Sequence, residues 1–209
     1  MRQTGVKEGR EQKKEQEFWL DILARYFLLT MALSFIGWGF ETLLMLLMTG
    51  KLHDQGFMTL PFCPIYGCSL MVTYLLLGTP DEGKGLLKKL KIDGKTRVQI
   101  EDAKALRYVV YFLFAFLIPS IAELFVGWFF DQFFDTRLWS YRHLSFNLGG
   151  YVCLSISLCW AVLIFLFMKF LFMPIKRVFF RLPKTAARVA ALGLLIATIA
   201  DFAINFIKI

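Results

Sequence analysis

Residues 108–130 read YVVYFLFAFLIPSIAELFVGWFF, an unbroken apolar run whose one charge is Glu123. At ~1.5 Å per residue a helix of this length reaches about 35 Å. That is enough to cross a hydrocarbon core of ~30 Å. Four further apolar stretches flank it, at 26–48, 57–77, 146–173 and 189–207. The first contains only Glu41 as a charge, the second none, and the last Asp201 and Asn205. Composition agrees: 57% of the 209 residues are hydrophobic, 19% are charged, and there are 23 Phe and 5 Trp. A soluble domain has about 45–50% apolar and about 25% charged residues, so an ordinary soluble globule is excluded. Disorder is excluded too, because a solvated chain does not tolerate so much apolar surface. The expected fold is all-α and polytopic, with about five transmembrane helices.

The second stretch cannot be a plain span. Pro61 and Pro64 lie in its first third, and proline breaks the helical hydrogen-bond ladder. From Pro64 to Gly78 only about 20 Å of helix remains, short for the core. The segment around Pro61, Pro64 and Gly67 is therefore expected to be broken or re-entrant, buried against protein or lining a wet cavity. Residues 1–25 are polar and read as a cytoplasmic arm before a single helical membrane domain at 26–209. No short apolar core with a small-residue cleavage site marks them as a signal peptide. Basic loops are expected at 78–107 and 174–188. With the N-terminus inside and the C-terminus outside, 20 of the 24 Lys/Arg face the cytoplasm, and only Lys51, Arg137, Arg142 and Lys208 lie outside. This is a strong positive-inside pattern. It accounts for the net charge of +8 without nucleic acid.

The chemistry then concentrates on the outer side. Glu41, Glu123 and Asp201 fall in the outer halves of their spans. An intramembrane charge costs at least ~2.5–3.5 kcal/mol on insertion scales, so three at similar depth suggest one polar site. The plainer reading is that each pairs with Arg137, Arg142 or a backbone group and orients helices. Ser34, Gly37 or Trp38, and Glu41 share a helical face. So do Ser120, Glu123 and Gly127, and a stripe of Asn147, Gly150, Cys153, Ser157 and Trp160 is expected on the fourth span. Such faces allow close packing and cross-helix hydrogen bonds. The outer loops add Lys51, His53, Asp54, Gln55 and Tyr66, then Asp131, Asp135, Arg137, Trp139, Tyr141, Arg142 and His143. The candidate binding residues are Glu41, Glu123, Tyr66, Arg137, Trp139, Tyr141, Asn147 and Trp38. No metal or other cofactor is expected: the two histidines lack a metal-site spacing. The four cysteines read as free thiols rather than a disulfide framework, although Cys63 and Cys68 could bridge on an oxidising side. The near-Walker run G-T-P-D-E-G-K-G at 78–85 lacks the Ser/Thr after its Lys and the strand before it, so no ATPase is expected in this chain.

At these residues the sequence resembles the bacterial integral membrane family called putative ABC-transporter type IV, the CmpB-like permeases, over about residues 34–175. Gly37, Trp38 and Glu41 match its G-W-x-x-E motif. Gly56, Phe57, Pro61, Cys63, Pro64, Ile65, Tyr66 and Gly67 match a Gly-Phe followed by a proline motif ending C-P-I-Y-G. Glu123, Trp139, Tyr141, Asn147, Cys153 and Leu154 follow in the family's order. Asp54-Gln55, Leu60 and Ser140 depart from its common residues. The resemblance implies the membrane subunit of a transporter, a permease with a polar site near the outer leaflet and a separate ATPase meeting the 78–107 loop. Two alternatives stay open. One is a membrane-embedded enzyme on a lipid-linked or amphiphilic substrate, with Glu41 and Glu123 as acid and base and Arg137 or Arg142 holding an anionic head. The other is a non-catalytic sensor or assembly partner. The partners expected are the lipid bilayer of the bacterial cytoplasmic membrane, an ATPase or other membrane subunit, and a second copy in a homo-oligomer.

Overall fold

The computed structural model describes residues 2–50, 57–82 and 97–208. Lys51, His53, Asp54, Gln55, Gly56 and residues 83–96 of the 78–107 loop lie outside the described residues. The described chain forms six helices and one two-stranded hairpin: α1 (Arg2–Thr49), α2 (Pro64–Leu77), α3 (Arg97–Phe134), β1 (Asn147–Leu148), β2 (Val152–Cys153), α4 (Leu154–Phe170), α5 (Phe172–Arg181) and α6 (Lys184–Ile207). It is an all-α membrane protein. Windows within α1, α3 and α6 are each long and apolar enough to cross a bilayer. A fourth crossing is made if α4 and α5, bent by 53° at their junction, act as one span.

No proline interrupts α1, so the expected polar arm and first span form one 48-residue helix. At ~1.5 Å per residue it is about 72 Å long, more than twice the bilayer core. The two halves meet near Asp21, which is 6% exposed. Arg188 Nε of α6 donates to its Oδ1 at 2.6 Å, and Lys184 Nζ lies 3.4 Å from its Oδ2. Arg188 also reaches the Glu17 carbonyl at 2.9 Å. Below this clamp Leu28, Ala187 and Ala191 join α1 to α6.

The short helix α2 is the centre of the packing. Leu70, Met71, Tyr74 and Leu77 meet Leu29 and Leu33 of α1, Tyr111 and Ala115 of α3, and Ile164, Phe167 and Met168 of α4. Pro64 occupies its first turn, where a missing N–H costs nothing. Cys63 before it is extended, φ −112° and ψ 93°, as a residue preceding proline prefers. The helix ends at Gly78, whose φ of 75° suits a residue without Cβ. Fourteen residues give only about 21 Å, so the chain completes this level with the irregular 57–63 segment. Its backbone finds partners in neighbouring helices: Cys63 N donates to Ser34 O at 3.3 Å, and Leu60 N to Asp201 Oδ2 at 3.2 Å. Broken backbone at membrane depth survives only with such partners.

Three expectations need correction. The basic stretch 78–107 is not a loop throughout, because the helix that carries the third span already begins at Arg97. The stretch 146–173 is not one helix. Phe146, Gly149 and Gly150 have φ of 57°, 63° and 82°, conformations that reverse the chain. Asn147 therefore pairs with Cys153 and Leu148 with Val152 in a hairpin, and the helix begins only at Leu154. Asn147 and Gly150 thus share no helical stripe with Ser157 and Trp160. The basic stretch 174–188 is mostly helical rather than a loop, because it is amphipathic. In α5, Phe172, Ile175 and Phe179 face the core, whereas Arg177 and Arg181 are exposed. Lys176 is bent back to the Tyr74 hydroxyl. Leu182 and Pro183 turn the chain directly into α6.

Candidate functional site

Helical periodicity aims the carboxylate of α3 inward. Tyr111, Ala115, Pro119, Glu123, Gly127 and Phe130 are its buried residues, spaced along one face. Val109, Leu113 and Leu117 are exposed on the other side, as lipid-facing residues are. Glu123 is 4% exposed, inside the protein rather than against lipid.

The carboxylate of α1 is placed by two glycines. Gly37 lies against the Tyr66 ring: a Cβ there would come within 2.5 Å of the Tyr66 Cβ. Gly67 lies against α1: a Cβ there would sit 2.1 Å from Ser34 Oγ and 2.3 Å from the Thr30 carbonyl. Small residues allow this approach of the backbones. It brings the Tyr66 hydroxyl into hydrogen-bonding contact with Glu41, one turn beyond Gly37. The Tyr66 ring also packs on Trp160 of α4, with centroids 4.5 Å apart.

Glu41 and Glu123 thus line one half-open cavity of about 610 Å³ between α1, α2, α3 and the loop after α3. The two carboxylates are close enough for their charges to interact. Tyr66, Cys63 and Ser69 come from the broken segment and α2; Trp139 and Tyr141 come from the loop. Phe57, Phe62, Phe125, Phe130 and Phe202 supply further rings. Among the described lining residues the only charged side chains are the two carboxylates. Glu123 Oε2 and Ser69 Oγ are buried without a hydrogen-bond partner among the described residues, and an unpaired buried polar group costs roughly 1–3 kcal/mol. Burial, with Glu123 and Glu41 nearby, pushes the Tyr141 phenol far above its ordinary range. It therefore stays a hydrogen-bond donor at neutral pH.

Five of the eight expected binding residues meet here: Glu41, Glu123, Tyr66, Trp139 and Tyr141. The other three do not line the cavity. Trp38 stacks on Phe35, centroids 5.9 Å apart. Arg137 is held outside by Asp131 at 2.7 Å and lies 5.2 Å over the Tyr151 ring. Asn147 secures the hairpin: its Nδ2 donates to Leu144 O at 2.7 Å, and its Oδ1 accepts from Gly150 N at 3.1 Å. These contacts build the loop that covers the cavity. Trp139 Nε1 donates to Tyr151 O at 2.8 Å, and Gly127 leaves room for both rings. Asp201 is explained by the broken segment. Besides taking the Leu60 N–H, it accepts from Asn205, which bonds Thr59 in turn. Pro61 and Pro64 free the cavity wall from helix, whereas Gly67 serves the helix contact. All four cysteines are free. No group of three or more potential ligands arranged for a metal occurs among the described residues.

Sequence reasoning passed over Ser69. It lies three residues after Tyr66 on α2, the same helical spacing that marked the polar faces of the other spans. Asp131 was noted only as a loop acid, although it positions both Arg137 and Tyr151.

A family model described as putative ABC-transporter type IV matches residues 27–206, and the chain belongs to that family. Neither curated proteins nor solved structures include one that matches.

Proposed function

Proceeding from that membership, we propose that the chain is the membrane subunit of a transporter. Its cavity, floored by Glu41 and Glu123, takes the substrate on the outer side of the bacterial cytoplasmic membrane. One observation carries this reading: two carboxylates from separate helices share a half-open cavity beside a helix break, and one oxygen of Glu123 has no partner among the described residues. Intramembrane carboxylates and broken helices at midplane depth are the usual makings of a transport site. Tyr66, Trp139 and Tyr141 would contact substrate directly. Arg137 and Asn147 would act by holding the covering loop. The energy would come from a separate ATPase on the cytoplasmic side, where the basic segments lie with the N-terminus inside.

The acid/base alternative has less support. It requires Arg137 or Arg142 to hold an anionic head, but Arg137 is engaged with Asp131 and neither arginine lines the cavity. The test compares the small molecules retained by cells carrying the wild type with those retained by cells carrying the Glu41→Gln/Glu123→Gln variant, by mass spectrometry. The expected result is at least one compound redistributed by the wild type alone. Identical profiles at equal expression would overturn transport, and a compound converted rather than redistributed would favour the enzyme.

A further inference from the structure

Resting on the cavity being the substrate site, we propose that its ligand is a lipophilic organic cation, a positive centre carrying apolar groups. The lining chemistry favours a cation over the other classes. An anion would meet two carboxylates and no Lys or Arg among the described lining residues, together with ring faces that carry negative potential. A neutral ligand could offer Glu123 Oε2 a hydrogen-bond donor, but it would leave two buried carboxylates with no positive charge beside them. A bare metal ion needs a shell of oxygen ligands at short distance, and no such group of acids occurs among the described residues. A cation with an apolar body fits both halves of the site. Glu41 and Glu123 face its charge, and Phe62, Phe125, Tyr66 and Trp139 supply ring faces and apolar wall. Ser69 Oγ, on a residue 3% exposed, offers a further polar contact that the protein leaves unused. The volume of about 610 Å³ lies within the ~300–1,000 Å³ of small-molecule sites.

Tetraphenylphosphonium and its isosteric anion tetraphenylborate test the sign of the charge at constant shape. The full chain is placed in nanodiscs of neutral lipid, and binding is measured by equilibrium dialysis against empty discs. The expected result is saturable binding of the cation alone, weakened about tenfold or more in Glu41→Gln and in Glu123→Gln. Glu82→Gln, at an exposed site away from the cavity, should leave it unchanged. Ser69→Ala supplies a further weakened variant should either glutamine form fail to fold. Ala122→Trp fills the cavity and separates the two levels of the argument. Equal binding of the anion, or cation binding that survives both glutamine variants yet is lost in Ala122→Trp, overturns cation selectivity and leaves the cavity as a site. No saturable binding to the wild type, or binding that survives Ala122→Trp, overturns the proposal, and the latter removes the cavity as the binding site as well.

Discussion

Two acidic sites lie along α1, Asp21 near its middle and Glu41 toward its C-terminal end, and they differ in what surrounds them. Asp21 faces Arg188 and Lys184 across the α1–α6 contact. Glu41 and Glu123 face each other, two tyrosines and a serine, with no cation among the described lining residues. The first cluster is complete within the protein and joins two helices. The second leaves an oxygen without a partner. Removing one member of a satisfied pair strands the other charge; removing an unsatisfied group strands nothing. Glu123 is thus an acid that packing within the protein does not account for, whereas Glu41 is held by Tyr66. Asp201 stands between these cases, since its partner is a backbone N–H of the broken segment.

The comparison can be broken most severely through the contact that positions the second cluster. Gly67→Ala forces a Cβ into Ser34 and Thr30, where backbone cannot yield. Overpacking of this kind costs about 3 kcal/mol, so the variant should unfold at distinctly lower temperature in detergent and lose the Glu41–Tyr66 alignment. A variant of wild-type stability would show that the helices separate freely. Next in size, Glu41→Gln should lower substrate flux about tenfold or more while the protein expresses normally; full flux would return Glu41 to a packing role. Asp201→Ala should cost about 1–2 kcal/mol by stranding the Leu60 N–H, read as a shift in the unfolding midpoint, without abolishing flux. The smallest effect is expected of Trp139→Phe. It removes one hydrogen bond to Tyr151 O, worth about 1 kcal/mol, and should loosen the covering loop. Faster hydrogen exchange at residues 139–151 would register it, and unchanged exchange would show that the indole bond does not hold the loop.

What could be read in one dimension follows from the physics of each element. The inward aim of Glu123 was legible, because one charge in an apolar run at membrane depth needs protein around it. The break at Pro61 and Pro64 was legible from missing donors. The hairpin at 147–153 was not. Its flanks are as apolar as a span, and the positive φ at Phe146, Gly149 and Gly150 turns the chain back. Helix α5 was hidden because its basic side resembles a loop until Phe172, Ile175 and Phe179 are seen to pack. Arg137 was an understandable candidate, being a loop cation close in sequence to Glu123. Whether it meets Glu123 or Asp131 depends on the loop's course, which residue type does not encode.

The contrast between the two clusters is tested most directly by the thermal midpoint of Glu123→Gln beside that of Asp21→Asn in the same detergent. The account predicts a lower midpoint for Asp21→Asn. For Glu123→Gln it predicts an unchanged midpoint, or a rise of about 2–4 °C, the shift that relieving about 1 kcal/mol gives in a chain of this size. A fall in Glu123→Gln as large as that in Asp21→Asn would contradict it, and would make Glu123 a structural acid like the other.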